Sequence, residues 1–361
     1  MIGPLARAWD NLFGHSDAAV TLPPLDGVLR PNRRLDEAPW RVPLPEVDSL
    51  AIVSDTLLAS SGNAVYALEG ETWRTWREYQ AEVICIAALG DDALAVALAS
   101  GDIIVAGGAH DGLGYRAAPD ARCITAMGAS NTGLYVANGS AVNPPGDWQR
   151  DLLQRDASGS IWRIDLASGA SKQLAVRLAW PAGLAVDGDT LVYSEAWKHR
   201  LARIDAAGAG QARVVYTDMP GYPGRIAPAA DGYWLAVFAP RTQLVEFVLR
   251  EPGYRNRMVA EVPKHYWIAP KLRAGRSFYE PLQGGGVKHL GLLKPWAPTM
   301  SAGLCVALDR AFQPRLSLHS RADGATHGVT AVIEHRGRMF AAARGDGVVV
   351  SIPLDALGDT E

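Results

Sequence analysis

PAGLAVDGDTLVYSEAWKHRLARIDAAG, residues 181–208, is the stretch whose reading decides the fold. It runs as an apolar segment, a tight turn at Asp187-Gly188-Asp189, a second apolar segment, a connector and a third segment. Gly and Asp tolerate the left-handed backbone that tight hairpins require, so the pattern reads as strands in series. The same plan recurs on either side. It is found in VDSLAIVSDTLLASSGNAVYAL (47–68), VICIAALGDDALAVALASGDIIVA (83–106), and CITAMGASNTGLYVANGS (123–140), which resumes as GSIWRIDLASG (159–169). It returns in GRIAPAADGYWLAVFAPRTQLVEFVL (224–249) and GVTAVIEHRGRMFAAARGDGVVVSIPL (328–354).

Unit starts lie 36 to 58 residues apart until the last gap of 104. A four-stranded propeller blade takes about 40 to 50 residues. A single blade leaves its sheet faces uncovered, so blades stack around an axis and shield one another. An all-β, six-bladed β-propeller is therefore expected over residues 41–361, with residues 1–40 as an arm packed on it. That arm holds a short amphipathic helix candidate, LARAWDNLF (5–13). The long gap implies an inserted loop or lid, placed at about 254–297, ahead of the strand-like runs AGLCVALDR and PRLSLHS.

Composition agrees: 37 Gly and 23 Pro among 361 residues mean many turns. A formal charge of -3 offers no electrostatic footprint for nucleic acid or an anionic membrane. The N-terminus lacks an apolar core of signal-peptide length, and no segment reaches about 18 uninterrupted apolar residues. A soluble, cytoplasmic chain whose partner is a small molecule is expected. Cys85, Cys123 and Cys305 have neither disulfide nor zinc spacing and read as small buried apolar residues. Nothing in the sequence specifies an oligomeric state.

Function in a propeller concentrates where the inner strands converge. The residues expected at that mouth are Asp48, Cys85, the turn from Met127 to Ser130, Ala182-Gly183, Gly224-Arg225 and Glu334-His335. An enclosed Glu334 would titrate nearer neutrality, so Glu334 with His335 is the candidate acid–base pair, against the alternative of a turn carboxylate capping backbone amides. Arg225 offers a planar fork for an acid group of the ligand, or a salt bridge to a neighbouring blade. Trp267 and Trp296, both in the insertion, are the aromatic candidates for substrate contact.

Four segments carry a family resemblance. GLYVANGSAVNPPGDWQRDLLQRDASGSIWRID (133–165), LAWPAGLAVDGDTLVYSEAWKHRLARID (178–205), DMPGYPGRIAPAADGYWLAVFAPR (218–241) and VTAVIEHRGRMFAAA (329–343) resemble strictosidine-synthase-like propellers within the gluconolactonase and paraoxonase type of six-bladed superfamily. The run from Pro220 to Pro223 and the Glu334-His335 corner are its most specific parts. The resemblance implies one of two chemistries. Calcium-dependent lactonases hold a metal with a first-blade Glu, central Asn residues and an Asp, whereas strictosidine synthases condense an amine with an aldehyde using a Glu matched here by Glu334.

At the metal positions this chain carries Asp48 for the Glu, Ala182 for an Asn, and Gly224-Arg225 for Asp-Asn. A hard cation needs several oxygen ligands, and here two ligand positions lack them. No cofactor is expected, and calcium only if Asp48 and Asn138 recruit further oxygens. The first expectation is a metal-free enzyme of hydrolase or condensing type, with Glu334 and His335 catalytic and Arg225, Asp48, Asn138, Trp267 and Trp296 binding substrate. The alternatives are a calcium-dependent lactonase and a non-catalytic small-molecule-binding propeller.

Overall fold

In a computed structural model, residues 22–130, 132–208, 210–276, 280, 288–289, 292–293 and 299–358 are described. They form six four-stranded antiparallel sheets plus one short two-stranded pair, and the six sheets are the blades of a propeller. Each inner strand opens its unit: Val47–Val53, Val83–Leu89, Ile124–Ala129, Pro181–Asp187, Gly221–Ala229 and Val329–His335. The second strands are nearly continuous apolar runs because neighbouring blades cover both faces of the sheet. In Ala93–Leu98 every residue is buried, whereas the outer strand Thr72–Glu78 has none that is. Six hydrophobic clusters fill the six blade-to-blade interfaces, one between each neighbouring pair. All three cysteines are buried and free.

The ring closes through a strand absent from the repeat pattern. Trp40–Pro43 pairs antiparallel with Val348–Pro353, from Trp40 opposite Ser351 to Pro43 opposite Val348, and is the outer strand of blade 6. Before it, Leu35 is wholly buried in the cluster between blades 5 and 6, and Asn32 donates to Ser317 O at 2.9 Å. The helix candidate at 5–13 lies outside the described residues.

The insertion is larger than expected and begins earlier. It separates the second strand of blade 5, Gly232–Pro240, from the third, Gly303–Asp309, so the strands after it complete that blade. The run QLVEFVLR is helix α2 (Gln243–Arg250) rather than a third strand. Thr242 caps it by accepting from Val245 N at 3.2 Å, and the buried Val245, Val248 and Leu249 keep helical spacing. Helix α3 (Pro252–Glu261) follows, with a Pro in its first turn. Blades 3 and 5 thus both carry excursions toward the mouth, since the loop after the second strand of blade 3 contains a short helix, Trp148–Gln154. Among the described residues no helix is long and apolar enough to cross a membrane.

Candidate functional site

Every inner strand breaks register within a few residues of its start. The shifts fall between Val47 and Leu50, Val83 and Cys85, Ile124 and Ala126, Pro181 and Gly183, Tyr222 and Ile226, and Val329 and Ala331. A bulge leaves an unpaired residue and re-aims its side chain. Of the residues so released, Asp48, Ile84, Thr125, Ala182, Gly224-Arg225 and Thr330 line one cavity at the propeller mouth, and Ser49 does not. The bulges thus turn six regular strands into a ring of side chains aimed at the axis.

Arg225 closes the floor of that ring. Its Nη1 donates to Asp48 O at 2.9 Å and Thr330 O at 3.4 Å, and its Nη2 to Ile84 O at 3.0 Å and Asp48 Oδ2 at 2.7 Å. One guanidinium from blade 5 therefore ties together blades 1, 2 and 6. The other Asp48 oxygen lies 3.3 Å from Arg344 Nη1, and Arg344 Nη2 donates to Glu82 at 3.4 Å. Burial alone would raise the Asp48 pKa, but the two guanidiniums outweigh it and hold the carboxyl at about 2. Burial works against the charge on Arg225 as well, and Asp48 more than restores it.

Above this floor the cavity measures about 530 Å³. One wall is aromatic, formed by Trp148, Trp180 and Phe238. Trp148 and Trp180 stack on Trp197 at 6.3 and 5.3 Å, and Phe238 meets Trp148 edge-on at 5.6 Å. The helix Trp148–Gln154, here α1, is pinned by Gln149 Nε2 donating to Pro270 O at 2.8 Å, and Lys264 pairs with Asp147 at 2.9 Å. Within α1, the buried Asp151 accepts from Trp197 Nε1 at 2.7 Å and Asn143 Nδ2 at 3.0 Å, and burial raises its pKa.

A second cavity of about 350 Å³ opens at the other end of the axis, with Arg225 between the two. There the structure corrects the expected mouth. Glu334 faces this second opening, accepting from Trp234 Nε1 at 2.7 Å and Ala230 N at 3.2 Å. It occupies the far end of an inner strand whose beginning, at Thr330, lines the first cavity. His335 ends the same strand and lies 3.6 Å from Asp55 of the neighbouring blade. Cys85 and the Met127–Ala129 segment also belong to the second opening.

Of the other expected site residues, Asp48 and Arg225 are brought together. Asn138 is buried with both ends of its amide engaged, Oδ1 accepting from Cys123 N at 2.8 Å and Nδ2 donating to Ser140 O at 2.9 Å. Trp267 is 1% exposed in the cluster beneath the insertion; its Nε1 donates to Val262 O at 2.7 Å and Arg150 covers its ring at 5.2 Å. Trp296 lies outside the described residues. Arg344 and Glu82, both at the mouth, had no motif to mark them. Arg344 directly follows the second strand of the last blade, at the end where Asn138 and Glu195 close theirs, and that placement is its one sequence signal. Glu195 itself is fully buried against Arg200, Lys198 and the Ala179 amide.

The residues present do not fit calcium. The Asp48 oxygens each face a guanidinium, Asn138 has no free oxygen toward the axis, and Ala182 and Gly224 have no side-chain oxygen. The backbone carbonyls of Asp48, Ile84 and Thr330 accept from Arg225. Among the described residues no group of three or more His, Cys, Asp or Glu side chains is placed to hold a metal.

No family model and no curated protein matches the sequence. Solved structures do. Regucalcin from Agrobacterium tumefaciens strain C58, described as a calcium-binding protein, superposes with a TM-score of 0.52 at 12% identity, over 87% of this chain and 93% of its own. A luciferin-regenerating enzyme superposes with a TM-score of 0.50 at 12% identity, over 87% of this chain and 92% of its own. At that identity the likeness is one of fold, the six-bladed propeller.

Proposed function

We propose that this protein binds a small, largely apolar organic molecule in the mouth above Arg225, without calcium. The observation that carries the reading is the pairing of an aromatic wall with a charge-balanced floor in one cavity of about 530 Å³. Pockets for small organic ligands are of this size, mostly apolar, with a few fixed polar groups. Binding is favoured over turnover because a carboxyl held at about 2, as in Asp48, is a weak base near neutral pH. An acid–base role for Glu334 would have to be exercised at the second opening, where Trp234 and the Ala230 amide already occupy its oxygens. Calcium binding, which regucalcin's description assigns to regucalcin, would need oxygens that this floor has given to arginine. A place beside strictosidine-synthase-like propellers rests on the sequence likeness at 220–223 and 334–335.

A thermal-shift screen of small organic molecules tests the reading, with Trp148→Ala as the comparison. Trp148 lines the cavity and is not fully buried, so its loss removes wall without emptying the core. Compounds that raise the wild-type Tm and lose most of that effect in W148A support mouth binding. Hits that act equally on both proteins place the site elsewhere.

A further inference from the structure

The two arginines at the mouth differ in how much of their hydrogen-bonding capacity is spent. Arg225 makes four hydrogen bonds, at 2.7 to 3.4 Å. Arg344, among the described residues, makes one, to Glu82 at 3.4 Å, and has a second ionic partner in Asp48 at 3.3 Å. A guanidinium has five N–H donors in a rigid plane, and a well-formed bidentate carboxylate pair is shorter, about 2.7 to 2.9 Å. The side chain of Arg344 is 35% exposed and faces the same cavity as Trp148, Trp180 and Phe238.

The carboxylates around it are unequal competitors. Asp48 is engaged by both arginines and held by the Thr330 hydroxyl through its backbone oxygen at 2.7 Å. Glu82 is 53% exposed and makes one long bond, so it is free to swing into solvent. Asp147, the remaining acid of the cavity wall, is paired with Lys264 at 2.9 Å. An incoming carboxylate would therefore exchange with Glu82 for the Arg344 fork. An incoming amine would find Glu82 as its one loosely held anion, next to two guanidiniums that repel it.

Resting on the mouth-binding reading above, we propose that the ligand is an aromatic monocarboxylate whose acid group takes the fork of Arg344 in place of Glu82 while its ring lies on the tryptophan wall. A dianion such as a phosphate monoester fits less well, because Asp48 and Glu82 stand beside a single loosely held cation. The neutral amide and the amine of the same ring shape separate charge from shape.

The test titrates full-length protein with phenylacetate, 2-phenylacetamide and 2-phenylethylamine, following quenching of tryptophan fluorescence with calorimetry as a second measurement. Phenylacetate is expected to bind at least about tenfold tighter than the amide, the increment of a charge-assisted pair over a neutral one. Arg344→Gln should remove that preference. Glu82→Gln, a change on an exposed side chain, should strengthen phenylacetate binding severalfold while leaving the amide unchanged. If R344Q were to misfold, the E82Q arm decides by itself. Binding of the amide or amine as tight as that of the acid, or acid binding indifferent to E82Q, overturns the carboxylate assignment and leaves the mouth reading standing. Binding by none of the three also overturns it, and the thermal-shift screen then decides the mouth reading separately.

Discussion

Taking the guanidinium away from position 225 would leave the Asp48 carboxylate buried with one more distant partner and take a donor from three backbone carbonyls, of which that of Asp48 keeps the Thr330 hydroxyl. Breaking a buried pair from one side is costly because the remaining charge stays desolvated. Arg225→Met is expected to lower unfolding free energy by about 3 kcal/mol, measured by urea denaturation. The double variant with Asp48→Asn should lose less than the two singles together, and strict additivity would refute the coupling. The same pair predicts an acid limb. The folded pKa of Asp48 lies below its ordinary 3.8, at about 2, so its stabilising contribution is full above about pH 4 and disappears as pH falls toward 2. That contribution is about 2 kcal/mol, and an acid unfolding curve that is unchanged in D48N would contradict it.

The elements meet closely at the axis. A Cβ on Gly183 would lie 2.1 Å from Gly224 O and 2.9 Å from Arg225 Cα, both backbone atoms with little room to yield. Gly183→Ala should therefore press blade 4 against the strand that carries Arg225, costing about 1 to 3 kcal/mol in denaturation experiments. If stability were unchanged, the inner strands would be less tightly packed than they are here. Closure of the ring can be tested at its outer edge. Val348–Val350 are buried and pair with Trp40–Pro43, so deleting residues 1–43 bares an apolar strand edge. The shortened protein is expected to melt at markedly lower temperature and to aggregate, and an unaltered Tm with a monomeric elution profile would show the strand to be dispensable.

For the molecule as a whole, a guanidinium on the axis has a thermodynamic consequence. A ligand that binds only the folded state at a hundredfold excess over its Kd adds about 2.7 kcal/mol of stability. With the floor occupied by Arg225 and Arg344, excess calcium should leave the Tm where a chelator leaves it, as scanning calorimetry can check. A calcium-dependent rise that vanishes in D48N would mean that the arginines yield to the metal. The two openings are also expected to be independent, since Arg225 stands between them.

What the sequence settled by itself was the architecture. Six units with turn residues at hairpin spacing can bury their apolar runs only by stacking blades, and local periodicity is enough to announce that. It also brought Asp48 and Arg225 into one list, and they do meet. Three things needed the tertiary structure. Trp40–Pro43 has no repeat partner nearby in the chain, so only ring closure reveals it as a strand. The run 243–249 is apolar at a spacing that suits a strand at first reading, and the Thr242 cap together with burial on one side makes it a helix. Glu334 and Thr330 lie in one strand, yet a strand long enough to cross the ring puts them at opposite openings. Which side chain of each inner strand enters the mouth cavity is decided by the six bulges, and a bulge is a shift of register against the next strand of the hairpin that the alternation of residue types does not record.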